Sequence, residues 1–252
     1  MYRFPIGKFR PLTEVFFENE VPISERFGDV YFSKQGGTEE SAYVFFEGNR
    51  IQKKWKETNS TDNSSFTIGE LGFGTGLNYF ISLENWKKET CPPNVSFYSL
   101  EKFPLESSTL KIMKNHFPEI PTWEIDLLDS YEKVLKNDKD TSGSNIWTWS
   151  VSHPSHKTRF DLHVYFSDVL ATLGDWKETI DAWYLDGFSP AKNPEMWTAE
   201  VFQKIRNLSR EGTSFATFTA AGFVRRNLES VGFQVKKQTG FGRKREMLVG
   251  GI

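Results

Sequence analysis

"GELGFGTGLNYF", residues 69–80, decides the fold. The run that enters it, "FTIGEL" (66–71), is rich in β-branched and aromatic residues, the composition of a buried strand. Glycines at 72, 74 and 76 follow at once, and a helical pattern then runs from Leu77 to Lys88. Strand, glycine turn and helix in succession bring backbone close to a ligand and aim free N–H groups at it. The spacing is G-x-G-x-G, not the G-x-G-x-x-G of dinucleotide sites. Glu70, just before the first glycine, would repel a pyrophosphate and suits a ligand with a cationic end.

Four more strand-like runs follow: "SFYSLE" (96–101), "LHVYFSD" (162–168), "AWYLD" (182–186) and "SFATFT" (214–219). Helical patterns separate most of them. Residues 104–115 begin with proline at a first-turn position and stop before Phe117-Pro118. Residues 194–210 set Met196, Trp197, Val201, Phe202, Ile205 and Leu208 along one side, and residues 221–231 form another helix. This alternation implies βαβ units and a parallel sheet covered on both faces. The last two strand-like runs, "FQVKKQT" (233–239) and "EMLVG" (246–250), are joined only by "GFGRKR". That link is too short for a crossover, so they pair antiparallel. A mostly parallel α/β sheet ending in an antiparallel hairpin is the layout of the class I, Rossmann-like methyltransferase fold, by analogy of fold.

Residues 61–252 are expected to form that domain. Residues 1–60 read as an N-terminal extension packed on it as a lid. It holds an extended "DVYFS" (29–33), then a helix capped by Thr38 with Glu39 and Glu40 in its first turn. Residues 137–160 are polar and serine-rich, with Trp147 and Trp149 exposed, and read as a long loop or small insertion.

The bulk numbers narrow the class. With 252 residues, the chain suffices for one large domain with an appendage. No apolar run reaches the roughly 18 residues of a membrane span, and "MYRFPIGKFR" has no apolar core of a signal peptide. A single cysteine, Cys91, allows no intrachain disulfide framework and fits a cytoplasmic setting. Net charge is −2, yet from residue 204 onward ten Lys/Arg face three Glu, a local +7. Such a basic end fits a phosphate-bearing partner or a merely solvated surface.

The strand ends carry acids. Glu70, Glu101, Asp168 and Asp186 each close one of four consecutive strands, and ligands of open α/β sheets bind beyond those carboxyl ends. With Gly72, Gly74, Thr75, Gly76 and Asn78 of the glycine turn and helix start, they form a candidate cofactor site. Its chemistry fits S-adenosylmethionine: Glu70 for the aminoacyl end, Glu101 for ribose hydroxyls, and Asp168 for an adenine amine or as a helix cap. In "AWYLDGFSPAKNPEMW" (182–197), Asp186 offers a carboxylate, Gly187 room, Phe188 an aromatic wall and Pro190 rigidity. Asp186 either accepts a proton from an acceptor amine or holds the cofactor's methionine end. The histidines, His116, His153, His156 and His163, show no metal-ligand spacing, and no metal is expected.

Several phrases together resemble one family. "ELGFGTGLNYF" (70–80), "WYLDGFSPAKNPEMW" (183–197), "FATFTAAGFVRRNLESVGF" (215–233) and "GFGRKREML" (240–248) look like the MnmC-type methyltransferases of tRNA wobble-uridine modification. "DVYFSKQGGTEESAYVFFEGN" (29–49) resembles that family's N-terminal segment, while residues 137–160 depart from it. The resemblance implies N-methylation of 5-aminomethyl-(2-thio)uridine, with S-adenosylmethionine as donor and the tRNA anticodon region as partner. It implies the form without the FAD-dependent oxidase, so a separate enzyme would supply the aminomethyl group. Phe188, Lys192, Arg225, Arg226, Arg243, Lys244 and Arg245 are then the expected RNA-side residues. The rivals are a small-molecule amine methyltransferase, an aminopropyl transferase of the spermidine-synthase kind, or a non-catalytic RNA-binding module on the same shell.

Overall fold

The computed structural model describes residues 12, 14–18, 21–32, 36–58, 64–113, 124–136 and 145–252. Strands β1 (Val15–Glu18), β2 (Val21–Ser24) and β3 (Asp29–Val30) make a small antiparallel sheet. Helix α1 (Gly37–Ser41) follows and widens directly into a π turn, Ala42–Glu47, before α2 (Ile51–Thr58). The cap expected at Thr38 lies elsewhere. Gly36, at φ 74°, takes the N-cap position, and Thr38 is already inside the helix.

The main sheet opens with β4 (Ser65–Leu71) and β5 (Asn94–Leu100), joined by α3 (Leu77–Lys87). Helices α4 (Ser107–Met113) and α5 (Ile125–Lys136) lead to β6 (Ile146–Ser152) and β7 (Arg159–Tyr165). Then come α6 (Val169–Asp175), β8 (Ile180–Tyr184), α7 (Ala199–Asn207), β9 (Ser209–Thr217), α8 (Gly222–Ser230), β10 (Gln234–Thr239) and β11 (Glu246–Gly251). The strand order is β10-β11-β9-β8-β4-β5-β7-β6. β7, β5, β4, β8 and β9 run parallel to one another, and β11 lies antiparallel between β9 and β10. This is the class I methyltransferase layout read from the sequence.

Three expectations are corrected. Residues 146–152 are not loop but β6, antiparallel to all seven residues of β7, and Trp147 is fully buried against Phe73 and Tyr131. Residues 137–144 lie outside the described residues. The helix expected over 194–210 is broken. A 3-10 turn, Pro194–Trp197, ends at Thr198, whose hydroxyl accepts the Val201 N–H at 3.3 Å and caps α7. The first helix after β5 starts at Ser107 rather than Pro104, and its expected stop falls outside the described residues.

Both faces of the sheet are packed. On one, Trp55, Tyr79, Trp86, Phe97 and Phe160 join α2, α3 and the π turn to the strands. On the other, Trp183, Trp197, Phe202, Phe215 and Leu228 lie under α6, α7 and α8. Each such side chain contributes roughly 1.5–3 kcal/mol of burial. The N-terminal segment is also tied by polar contacts. Asn49 Nδ2 donates to the Trp183 carbonyl at 3.1 Å, and Lys54 Nζ to the carbonyls of Asp181 and Gly212 at 3.0 and 2.9 Å. Burial lowers the Lys54 ammonium to about 8.

Candidate active site

The sheet reverses its winding between β4 and β8, so their carboxyl ends splay and leave a crevice. Two glycines keep it open. Gly72, at φ 82°, stands where an added Cβ would lie 3.3 Å from the Cα of Gly187, itself at φ 125°. A side chain at either position would fill the gap or strain the turn. Gly76 does otherwise: its Cβ would strike the Phe73 ring at 2.9 Å, so it serves packing at the start of α3 rather than a ligand.

Two cavities meet across this gap and share Gly72, Glu101, Gly187 and Phe188 in their walls. The first, about 390 Å³, holds Gly74, Thr75, Asn78, Glu101 and Asp186, and is roofed by Tyr31, Glu40, Ser41 and Phe45 of the N-terminal segment. The second, about 360 Å³, is walled by Lys102, Phe103, Asp168, Lys192 and Met196.

The four acids do not line one crevice as the sequence suggested. Glu70 is fully buried beneath the first cavity, where it accepts hydrogen bonds from Ser99 Oγ at 2.6 Å and Asn78 Nδ2 at 2.9 Å. Burial pushes its carboxyl well above the usual range despite those bonds. Asn78 Nδ2 also donates to Asp186 Oδ2 at 2.7 Å, and its Oδ1 accepts from Ser41 Oγ. Glu70 therefore reaches the cavity through Asn78. Asp186 accepts the Gly187 N–H at 2.8 Å. Burial raises its carboxyl to about 6, against the pull of Gly187, Asn78 and Lys244, with Glu40 adding to the rise.

Glu101 accepts the N–H groups of Gly74 and Phe103 at 2.9 and 2.8 Å, and burial raises its carboxyl too. A carboxylate offers about four acceptor sites, so capacity remains for a ligand hydroxyl. Asp168 does cap α6, through Leu170 N–H at 3.0 Å, and pairs with Lys102 at 2.9 Å while standing in the second cavity's wall. Burial works to raise its carboxyl, but the bond from Lys102 leads the effects that hold it below the usual range.

Phe188 stands between the cavities, stacked on Phe27 at 4.5 Å and edge-on to Tyr31 at 5.1 Å. Lys192 is turned to the Gly28 carbonyl and to Asp29, 3.5 Å away, at the second cavity. Lys244 reaches the first cavity, paired with Glu40 at 2.6 Å and lying 5.1 Å over the Phe218 ring. Arg225, Arg226, Arg243 and Arg245 line neither cavity; all four are exposed, and Arg225 pairs with Glu229 at 2.8 Å. Ser41, Ser99, Asp29 and Phe27 were not foreseen as parts of the site. Among the described residues, no three His, Cys, Asp or Glu gather as a metal site.

A bare glycine gap with Glu101 and Asp186 beside it opens at the switch point of a class I methyltransferase fold. The donor set fits S-adenosylmethionine. Residues 143–252 match the family described as S-adenosyl-L-methionine-dependent methyltransferase. The tRNA 5-methylaminomethyl-2-thiouridine biosynthesis bifunctional protein MnmC of Actinobacillus pleuropneumoniae is 42% identical over 245 residues, 93% of this chain and 34% of that protein. The MnmC of Nitrosospira multiformis is 41% identical over 240 residues, 94% of this chain and 36% of that one. Among solved structures, MNMC2 from Aquifex aeolicus superimposes with a TM-score of 0.66 at 24% identity, over 96% of this chain and 70% of that chain. Residues 143–252 are thus similar to the S-adenosylmethionine-dependent methyltransferase family, and most of the chain is similar to part of the MnmC proteins. The chain spans about a third of the length of those curated relatives.

Proposed function

We propose that the protein N-methylates the primary amine of 5-aminomethyl-(2-thio)uridine at the tRNA wobble position, giving the 5-methylaminomethyl form. Kinship with MnmC supports this acceptor. The observation that carries the chemistry is Asp186, held at the gap between Gly72 and Gly187 with its carboxyl raised to about 6. A primary alkyl ammonium must lose a proton before its nitrogen can bond to carbon. A carboxylate raised toward neutrality is a better acceptor for that proton than an ordinary one.

When bound, S-adenosylmethionine supplies a methyl group on a sulfonium. Glu101 would hold its ribose hydroxyls, and the second cavity, with Asp168 and Lys102, its adenine. Asn78 fixes the Asp186 carboxylate so that it faces the gap, and Gly187 N–H holds the other oxygen. Phe188 walls the uracil side, and the roof of Tyr31, Glu40, Ser41 and Phe45 acts as a lid that keeps water from the reacting pair. In this reading Asp186 takes the proton, and the freed lone pair accepts the methyl, leaving a secondary ammonium. The basic residues of α8 and of the β10–β11 turn meet tRNA phosphates. The setting is cytoplasmic, and a separate activity supplies the aminomethyl group. No helix among the described residues is long and apolar enough to cross a membrane.

The test is mass spectrometry of tRNA nucleosides after incubation with S-adenosylmethionine and tRNA carrying the aminomethyl group. A 14-dalton gain on that nucleoside is expected, as one hydrogen is exchanged for one methyl. Asp186→Asn should lower the rate by about 10²–10⁴-fold with an unchanged circular dichroism spectrum. Methylation of free polyamines in place of tRNA would overturn the reading.

A further inference from the structure

We propose that Glu40 is the seat for the acceptor's ammonium, and that Lys244 occupies this seat until the acceptor displaces it. The inference rests on the amine-methylation reading above. Four acids stand in the wall of the first cavity. Glu101 and Asp186 are held by backbone N–H groups and an amide, and Asp29 by the Ser189 N–H at 2.9 Å. Glu40 is held by a flexible ammonium, that of Lys244, whose side chain is 47% exposed against 12% for Glu40. Lys244 is also the one basic residue in that cavity's wall among the described residues.

The pair spans the mouth. Glu40 comes from α1, and Lys244 from the turn between β10 and β11; that turn is docked on the N-terminal segment through Tyr43 OH to the Thr239 carbonyl at 3.0 Å. Phe241 of the same turn packs against Tyr43 and Gly36. The carboxylate is therefore fixed by its helix, while its partner sits on a long side chain at the solvent edge. An aminomethyl group entering the mouth carries the same chemistry as the lysine terminus: a primary ammonium on a methylene. It can replace Lys244 in a like-for-like exchange of one ammonium for another at a largely buried carboxylate, which costs less than removing the cation outright. The displaced lysine, already at the rim, is then free to meet a phosphate of the same nucleotide. Uridine without the amine has nothing to exchange, so the latch sorts modified from unmodified tRNA. Both charges act on Asp186 as well, Lys244 lowering and Glu40 raising its carboxyl.

The experiment measures dissociation constants of one tRNA, with and without the aminomethyl group, in the presence of S-adenosylhomocysteine so that nothing reacts. Wild type should prefer the aminomethyl form by about tenfold or more, the scale of one charged hydrogen bond. Glu40→Gln should bring the two within about twofold, and Glu40→Asp should fall between, with thermal melts confirming folding. Lys244→Met should keep the preference, with the salt slope reduced by about one phosphate contact for the aminomethyl tRNA alone, because Lys244 stays on Glu40 when the unmodified tRNA binds. A full preference in Glu40→Gln, or its loss in Lys244→Met, would overturn the latch. If wild type methylates aminomethyl-tRNA yet binds both tRNAs equally, the seat falls and the function stands. No methylation of that tRNA brings down both.

Discussion

Between Glu70 and Asp186 stands a single amide, that of Asn78, donating to one carboxylate at 2.9 Å and to the other at 2.7 Å. Both hydrogens of the Nδ2 group are spent, so Asn78→Ala would leave two raised carboxylates facing an empty space. The expected result is a stability loss of about 1–3 kcal/mol for the unpaired groups, read by denaturant unfolding, together with weaker S-adenosylmethionine binding. The Asp186 carboxyl gives a pH signature of its own. Folded it sits at about 6, above the ordinary 3.8, so between these values the folded protein holds more of this proton than the unfolded chain. Its contribution to stability is therefore lost as pH rises through that window. Asp186→Asn should gain melting temperature relative to wild type between pH 4 and pH 7, by a few degrees, about the shift that one to two kcal/mol makes in a chain of this size. A constant difference across that range would count against the raised carboxyl. The sequence showed these acids as equals at four strand ends. Their sorting into buried, capping and cavity-facing groups depends on Asn78, Ser99 and Lys102, which meet them across distant parts of the chain.

The turn between β2 and β3 acts on the loop after β8 as a clasp. Phe27 stacks on Phe188, Asp29 accepts the Ser189 N–H, and Lys192 reaches back to the Gly28 carbonyl. One arm of this clasp is fixed by the sheet and the other by the small hairpin. Asp29→Ala should let the loop drift, lowering kcat/KM by about tenfold, the order that small misplacements of positioning groups produce, with the melting temperature little changed. Steady-state kinetics beside a thermal melt would check it. The strands and helices around this clasp were legible because buried parallel strands announce themselves by apolar runs and the glycine turn by spacing. β6 was not. Its alternation "IWTWSVS" is short, follows a serine-rich run and carries polar residues on the outer face, so composition outweighed period. Thr198 likewise hid a helix restart, because a single capping hydroxyl inside a continuous amphipathic pattern leaves the spacing of apolar residues intact.

At the scale of the molecule, a chain of net charge −2 carries a local excess of cations from residue 204 onward, ten Lys/Arg against three Glu. Arg225 and Arg226 of α8 and Arg243 and Arg245 of the β10–β11 turn are exposed, while Lys244 between them turns to the cavity. tRNA affinity should fall with salt by about 0.9 log unit per log unit of salt for each phosphate contact, less where the RNA is single-stranded. Replacing Arg243 and Arg245 together by alanine should reduce that slope without changing S-adenosylmethionine binding; filter binding over a salt series would show an unaltered slope if these residues face solvent alone. The sheet order itself sets a timetable. β4 gains β5 as a neighbour within 30 residues but waits for β8, more than a hundred residues on, and β9 waits for β11, which slots between it and β10. During synthesis on the ribosome, β9 is therefore an open edge bearing Phe215 and Ala216 until the final strand arrives, and such edges invite pairing with other chains. The same late strand pair carries Lys244 to the cavity mouth, so a nascent chain completes its binding cleft and covers the β9 edge in one event.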